Sequence, residues 1–198
     1  MDLNPYIIPS LWVIGATSVS LLVVRENRAT SILLSIQYVG VFILVGFTWP
    51  VEMAVIKLVV GWLAAAVLGL EIRDIGNGAI EKETNKWSLV LLIIGLAILL
   101  IFAMQNIIPG LAKRFLSASY EQIFGCIILA AMGVLKVGIT DTTRGVVIGI
   151  LTFLSGFEIL YSTIETSGFV AGYLAFFSLG IVILGSYLSA APSLQSDQ

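Results

Sequence analysis

The chain is 198 residues long, and 59% of these residues are hydrophobic whereas only 11% are charged. Soluble domains carry about 25% charged residues, so water is not the main solvent of a chain whose mean hydropathy is +1.06. Histidine is absent and the single cysteine is Cys126, which leaves zinc sites, haem ligation by histidine, iron–sulfur clusters and disulfides without ligands. The sequence therefore predicts no cofactor and no metal, and a net charge of −2 without a basic cluster argues against nucleic acid as a partner.

Apolar segments long enough to span about 30 Å of hydrocarbon recur along almost the whole chain. We predict about seven transmembrane segments, at residues 7–24, 30–47, 51–70, 87–108, 120–137, 145–164 and 169–190. Each should be a helix, because lipid leaves backbone polar groups to be satisfied within the segment and the alternation typical of a barrel is absent. The predicted fold is an all-α integral membrane protein that passes several times through the cell (inner) membrane, in contact with membrane lipids.

Lysine and arginine residues are unevenly distributed between alternate loops. With the N-terminus outside, the inner side receives Arg25, Arg28, Arg73, Lys82, Lys86, Lys136 and Arg144. The outer side receives only Lys113 and Arg114. Because basic residues favour the cytoplasmic side, we predict the N-terminus outside and the C-terminus inside.

The predicted helices have a 3+1+3 arrangement. Residues 1–70 form a three-helix membrane module, 71–118 an inner polar linker with the fourth helix and an outer loop, 119–190 a second three-helix module, and 191–198 a short cytoplasmic tail. Each module runs helix, basic inner hinge (RENR; KVGITDTTR), helix, tight outer turn (TWP; ETSG), helix. This order suggests an architectural repeat whose hand is parallel rather than inverted.

Two ionisable residues interrupt the predicted spans, Lys57 in the third and Glu158 in the sixth. An ionised group there costs roughly 2.5–3.5 kcal/mol on insertion scales, and such residues commonly mark ion or proton paths. The structural alternatives are a buried ion pair that only fixes packing, or side chains that snorkel to water. Counted from the outer helix ends, the two residues lie roughly 8 and 10 Å deep, so they could meet.

Other polar residues accompany this pair. Ser155, Ser162 and Glu165 share one face of the sixth span with Glu158, whereas small residues follow Lys57 and favour close helix packing. Gln37 in the second span suits an interhelical hydrogen bond more than conduction. The predicted path residues are Glu158, Lys57, Glu165, Glu52 and Gln37.

The run RENRATSILLSIQYVGVFILVGFTWPVEMAVIKLVVGWLAAAVLGLEIRD resembles the first half of the HyfE-type subunit of complex-I-related, membrane-bound hydrogenases. It shares a basic hinge, a helix with glutamine at Gln37, a short outer turn and a helix with an early lysine at Lys57. The run TTRGVVIGILTFLSGFEILYSTIETSGFVAGYLAFFSLGIVIL resembles the three-helix NuoK/MrpC-type subunit of complex I and of multisubunit cation/proton antiporters. The resemblance rests on length, helix order and a few polar positions.

The sequence departs from the NuoK-like pattern at two places. That pattern has an acidic residue near Leu154, whereas this chain has Glu158 one turn later, and the last span lacks the buried carboxylate usual in complex I. The resemblance therefore implies a non-catalytic subunit next to antiporter-like partner subunits. It would supply one ion-carrying residue of an ion path, or part of the lining of that path. The alternatives are an autonomous multi-pass transporter, which the placement of all five prolines at or near span ends disfavours, and a purely structural membrane subunit.

Overall fold

A computed structural model describes residues 4–24, 26–70, 95, 108–110 and 118–190. These residues form a short 3-10 helix (Asn4–Tyr6) and the α-helices α1 (Ile7–Val23), α2 (Asn27–Val45), α3 (Val51–Leu70), α4 (Tyr120–Ile139), α5 (Thr143–Ser162) and α6 (Gly168–Ala190). Helices α1 to α3 correspond to the first three predicted spans, and α4 to α6 to the last three. The polar linker, nearly all of the predicted span 87–108, most of the loop that follows it and the tail lie outside the described residues.

Five of these helices, α2 to α6, are long and apolar enough to cross a membrane by length and composition. Helix α1 is also apolar but has only 17 residues, which is near the lower limit for a transmembrane helix. The described part of the chain contains helices and no strand. The prediction of a helical, multi-pass membrane protein is therefore confirmed.

Local sequence signals explain where several helices begin. Pro50 precedes α3, and its carbonyl accepts hydrogen bonds from the first-turn amides of that helix. A capping box starts α4, in which Ser119 and Gln122 each satisfy the other's backbone amide. Thr142 caps α5 by accepting a hydrogen bond from the amide of Gly145 at 3.2 Å. Helix α5 consequently begins two residues earlier than the predicted span.

The helices pack as two layers of three. Within the layers α1 contacts α2 and α2 contacts α3, while α4 contacts α5 and α5 contacts α6. Between the layers α1 packs on α4, α2 on α5, and α3 on α6. Each helix of the first layer therefore faces the helix of the same rank in the second layer.

The central helices α2 and α5 run in the same direction. Thr48, just after α2, donates to Ser162 at the end of α5 (3.0 Å), and Arg144 at the start of α5 donates to Ser31 near the start of α2 (2.9 Å). The bundle therefore has two distinct ends. We call them the Trp49 end, after the residue that follows Thr48, and the Arg144 end; in the predicted orientation they are the outer and inner ends.

Glycine residues bring α4 and α5 into backbone contact. A Cβ at Gly133 would lie 2.5 Å from the amide nitrogen of Phe153, and a Cβ at Gly156 would lie 2.7 Å from the carbonyl oxygen of Cys126. These distances are shorter than any real Cβ contact, so both positions require glycine at this helix separation. The second layer is thus built on a tightly packed α4–α5 pair.

Candidate functional site

A buried ion pair joins the two layers of the bundle. The Nζ atom of Lys57 on α3 contacts Oε2 of Glu158 on α5, and the two side chains are only 6% and 2% exposed. The residues lie roughly 9 and 6 Å from the Trp49 ends of their helices, at 1.5 Å per residue. The sequence left open whether they meet, and the structure brings them together.

The aromatic ring of Tyr38 forms one wall of this site. Lys57 Nζ lies 5.4 Å from the centroid of the ring, within the range of a cation–π interaction. A Cβ at Gly61, one turn after Lys57, would overlap the same ring. Gly61 therefore lets the ring of α2 lie flat against α3, and the ring in turn directs the lysine side chain toward α5.

One carboxylate oxygen at the site keeps unused hydrogen-bonding capacity. Oε1 of Glu158 is fully buried and has no hydrogen-bond partner among residues 4–24, 26–70, 95, 108–110 and 118–190. The Tyr38 hydroxyl lies beside Ser155, whose own hydroxyl donates to the carbonyl of Leu151. Buried polar oxygens normally have a partner, and Oε1 is therefore able to accept a proton.

The other predicted path residues lie apart from the pair. The Gln37 side chain points to α1, where its Nε2 atom donates to Ser18 Oγ at 3.0 Å.

Glu52 and Glu165 are exposed at the Trp49 end. Glu165 Oε1 accepts a hydrogen bond from the amide of Ser167, and its carbonyl accepts one from Trp49 Nε1 at 2.8 Å. Ser155, Glu158 and Ser162 are buried as the shared face predicts, but Glu165 lies beyond the end of α5.

The interhelical hydrogen bond of Gln37 leads to a stability prediction. Replacing Ser18 with alanine should lower the free energy of unfolding by about 1 kcal/mol, because the amide loses its partner in a buried interface. The change would be measured by unfolding the full chain in detergent with increasing SDS. The matched control is Ser20→Ala on the same helix, because that hydroxyl bonds only to the carbonyl of Ala16. Equal effects of the two variants would contradict the prediction.

Sequence reasoning missed a polar cluster next to Glu158. The side-chain amide of Gln122 donates to the carbonyl of Leu44 at 3.0 Å and lies 3.5 Å from Thr48 Oγ1. Thr48 donates to Ser162, one turn from Glu158. Tyr38 was missed as well. The available signal was its position deep in a predicted span, whereas tyrosine is enriched at the membrane interface.

A second lysine is buried near the Arg144 end. Lys136 was counted with the inner loops, but it lies in the last turn of α4, where it is 8% exposed and donates to the carbonyl of Leu21 at 2.6 Å. The carbonyl is close to the end of α1 and is available because the next residues leave the helix. This contact also shows that α1 and α4 run in the same direction.

These features define a helical membrane protein with a lysine–glutamate pair buried between its two layers. Within the described ranges no group of three or more His, Cys, Asp or Glu residues could hold a metal ion. Comparison of the chain with protein-family models, with curated proteins and with solved structures gives no match.

Proposed function

We propose that this chain is a membrane subunit of a complex-I-like, ion-translocating assembly, such as a respiratory complex, a membrane-bound hydrogenase or an Mrp-type antiporter. In that assembly it contributes part of a proton or cation path next to antiporter-like subunits. The observation that carries the proposal is the buried pair of Lys57 and Glu158. Intramembrane ionisable residues are costly and commonly functional.

The contacts of the pair suit reversible protonation of Glu158 rather than a permanently fixed charge. The positive charge of Lys57 favours the ionised form of Glu158, whereas burial in a low-dielectric site favours the neutral form, so any movement of Lys57 changes the proton affinity of Glu158. The lysine side chain is long and flexible, and only one carboxylate oxygen contacts it. In our proposal, partner subunits bias the position of Lys57 and thereby drive protonation and deprotonation of Glu158. We also propose that the chain crosses the membrane about seven times, with its N-terminus outside and its C-terminus inside.

A structural role is the second candidate, and close packing around the lysine favours it. The Tyr38 ring lies directly against Gly61, and the small residues Ala64 and Ala65 on the same helix are buried. In this case the ion pair would only select the correct helix partners, as buried polar pairs do in some proteins. The two candidates differ in what happens when the charge is removed without loss of shape.

The test is the replacement of Glu158 by glutamine in the native membrane. The full chain would be purified through a C-terminal tag with its partner subunits, and ion movement by the assembled complex would be measured in vesicles. Since glutamine keeps the shape but cannot carry the proton, we expect the same partners and roughly a hundredfold loss of ion movement, the lower end of the range for loss of a proton-transfer group.

The control for this experiment is Asp141→Asn, which removes an exposed carboxylate in the α4–α5 turn and should leave ion movement unchanged. Full ion movement in an assembled Glu158→Gln complex would overturn the ion-path role. Failure of assembly would support the structural candidate. Purification of the chain alone or as a homo-oligomer would contradict the subunit role and favour an autonomous transporter.

A further inference from the structure

The surroundings of Glu158 differ strongly between the two ends of the bundle. Toward the Trp49 end, Ser162 follows Glu158 on the same face of α5 at a separation of four residues. Side chains at this spacing are neighbours, with about 5–6 Å between their Cβ atoms. Ser162 is completely buried; its hydroxyl donates to the carbonyl of Ile159 on its own helix at 2.7 Å and accepts a hydrogen bond from Thr48 in the turn after α2.

The hydrogen-bonded cluster extends from Ser162 to the start of α4. Thr48 Oγ1 lies 3.0 Å from Ser162 Oγ and 3.5 Å from Nε2 of Gln122. Thr48 is partly exposed, whereas Gln122 is only 1% exposed. Polar side chains from α5, from the turn after α2 and from α4 therefore lie between Glu158 and the Trp49 end.

Toward the Arg144 end, apolar side chains fill the interior instead. Leu34, Leu68 and Leu151 have no solvent exposure and pack together in one cluster. The cluster also contains Val147 and Ile148 and lies between Glu158 and the hydrogen bond that joins Arg144 to Ser31. A closely packed apolar layer has no partners for water and stays dry.

The α5 hydroxyl groups on this side of Glu158 do not bridge the layer. Ser155 donates to the carbonyl of Leu151, and Thr152 donates to the carbonyl of Ile148. Both bonds stay within α5. Neither hydroxyl donates to another helix among the hydrogen bonds that the described ranges contain.

The contacts of Glu158 also distinguish between protons and metal cations. One carboxylate oxygen faces the ammonium group of Lys57, which would repel a second cation a few ångströms away. Sodium and other hard cations need several oxygen ligands, and no cluster of three or more His, Cys, Asp or Glu residues occurs in the described part of the chain. A proton needs only one lone pair, and Oε1 has no hydrogen-bond partner there.

We propose that Glu158 exchanges protons, and not metal cations, with the Trp49 face of the membrane through Ser162, Thr48 and Gln122. This inference rests on the proposed ion-path function. A hydronium ion at that face gives up its proton and leaves water, while the charged carboxylate of Glu158 becomes a neutral carboxylic acid. The apolar cluster around Leu151 closes the same carboxylate off from the Arg144 face.

The test uses dicyclohexylcarbodiimide, which crosses membranes and reacts with protonated carboxyl groups in apolar surroundings. Native membrane vesicles that contain the full chain would be prepared in both orientations, and the fraction of modified Glu158 would be measured by mass spectrometry. A Thr166→Cys variant identifies the exposed face, because Thr166 is exposed at the Trp49 end whereas the natural Cys126 is buried. An impermeant maleimide labels that position from one side only.

Lowering the pH by one unit at the Trp49 face should raise the rate of Glu158 modification, with an upper limit of about tenfold, because the protonated fraction of a carboxyl group rises at most tenfold per pH unit. The same change at the Arg144 face should have no effect. A Ser162→Ala variant should lose most of the response. Its matched control is Thr163→Val, since the Thr163 hydroxyl donates to Leu160 on its own helix.

The outcomes separate this inference from the proposed function. Modification that follows the pH of the Arg144 face, or of both faces equally, would overturn access from the Trp49 side and leave the ion-path role intact. An unchanged response in Ser162→Ala would overturn the role of the hydroxyl cluster. If Glu158 is not modified at any pH and Glu158→Gln still moves ions, both the inference and the proposed function fail.

Discussion

Replacing Lys57 with methionine is expected to lower the free energy of unfolding by about 3 kcal/mol, because the change leaves the Glu158 carboxylate without its counter-charge in a buried site. Methionine has nearly the same length as lysine, so packing against Tyr38 is kept. The loss would be measured by SDS unfolding of the full chain in detergent, as the change in the midpoint and slope of the transition.

The double variant Lys57→Met with Glu158→Leu is the control for this prediction. Replacement of a buried ion pair by apolar residues of similar size is often neutral or stabilising, so the double variant should recover most of the lost stability. It should still fail to move ions if the pair serves the proposed path. A single variant as stable as the unmodified chain would show that water reaches the pair and would contradict the buried site.

The substitution Gly133→Ala should destabilise the bundle by about 1–3 kcal/mol or more. The new methyl group would lie 2.5 Å from the Phe153 amide nitrogen and 2.7 Å from the Gly149 carbonyl oxygen. These are backbone atoms, which cannot rotate away, so α4 and α5 must separate to accept it. The same unfolding measurement reports this effect.

Gly138→Ala provides the matched control on the same helix. A Cβ at Gly138 has nothing within 4 Å, and alanine is favoured over glycine within a helix by about 1 kcal/mol. This variant should therefore be as stable as the unmodified chain or more stable. Similar losses for the two substitutions would contradict the close approach of α4 and α5 as the cause, because helix propensity predicts a gain at both positions.

The sequence predicted the charged part of the site better than the neutral part. Lys57 and Glu158 interrupt apolar spans, and their similar depths follow from simple helix geometry. Their contact depends on the rotation of α3 about its axis, which is set by the packing of the Tyr38 ring on Gly61. That packing is a tertiary property without a periodic signal.

Neutral polar residues and helix ends were harder to predict. Gln122 is the N3 residue of the capping box that starts α4. Nothing in the sequence indicates that its amide also reaches the Leu44 carbonyl on α2. Lys136 reads as a loop residue, but α4 continues to Ile139 and buries it. In both cases a neighbouring helix decides the role, and its position is not encoded locally.

The backbone contact between α4 and α5 has a mechanical consequence. At Gly133 and Gly156 the backbones of the two helices lie in direct contact, so we expect the pair to resist shear and to move as one rigid unit. Helix α3, which carries Lys57, packs on α2 and α6. Any rocking of one layer against the other therefore changes the distance between Lys57 and Glu158. The strength of the ion pair thus depends on the relative position of the two layers.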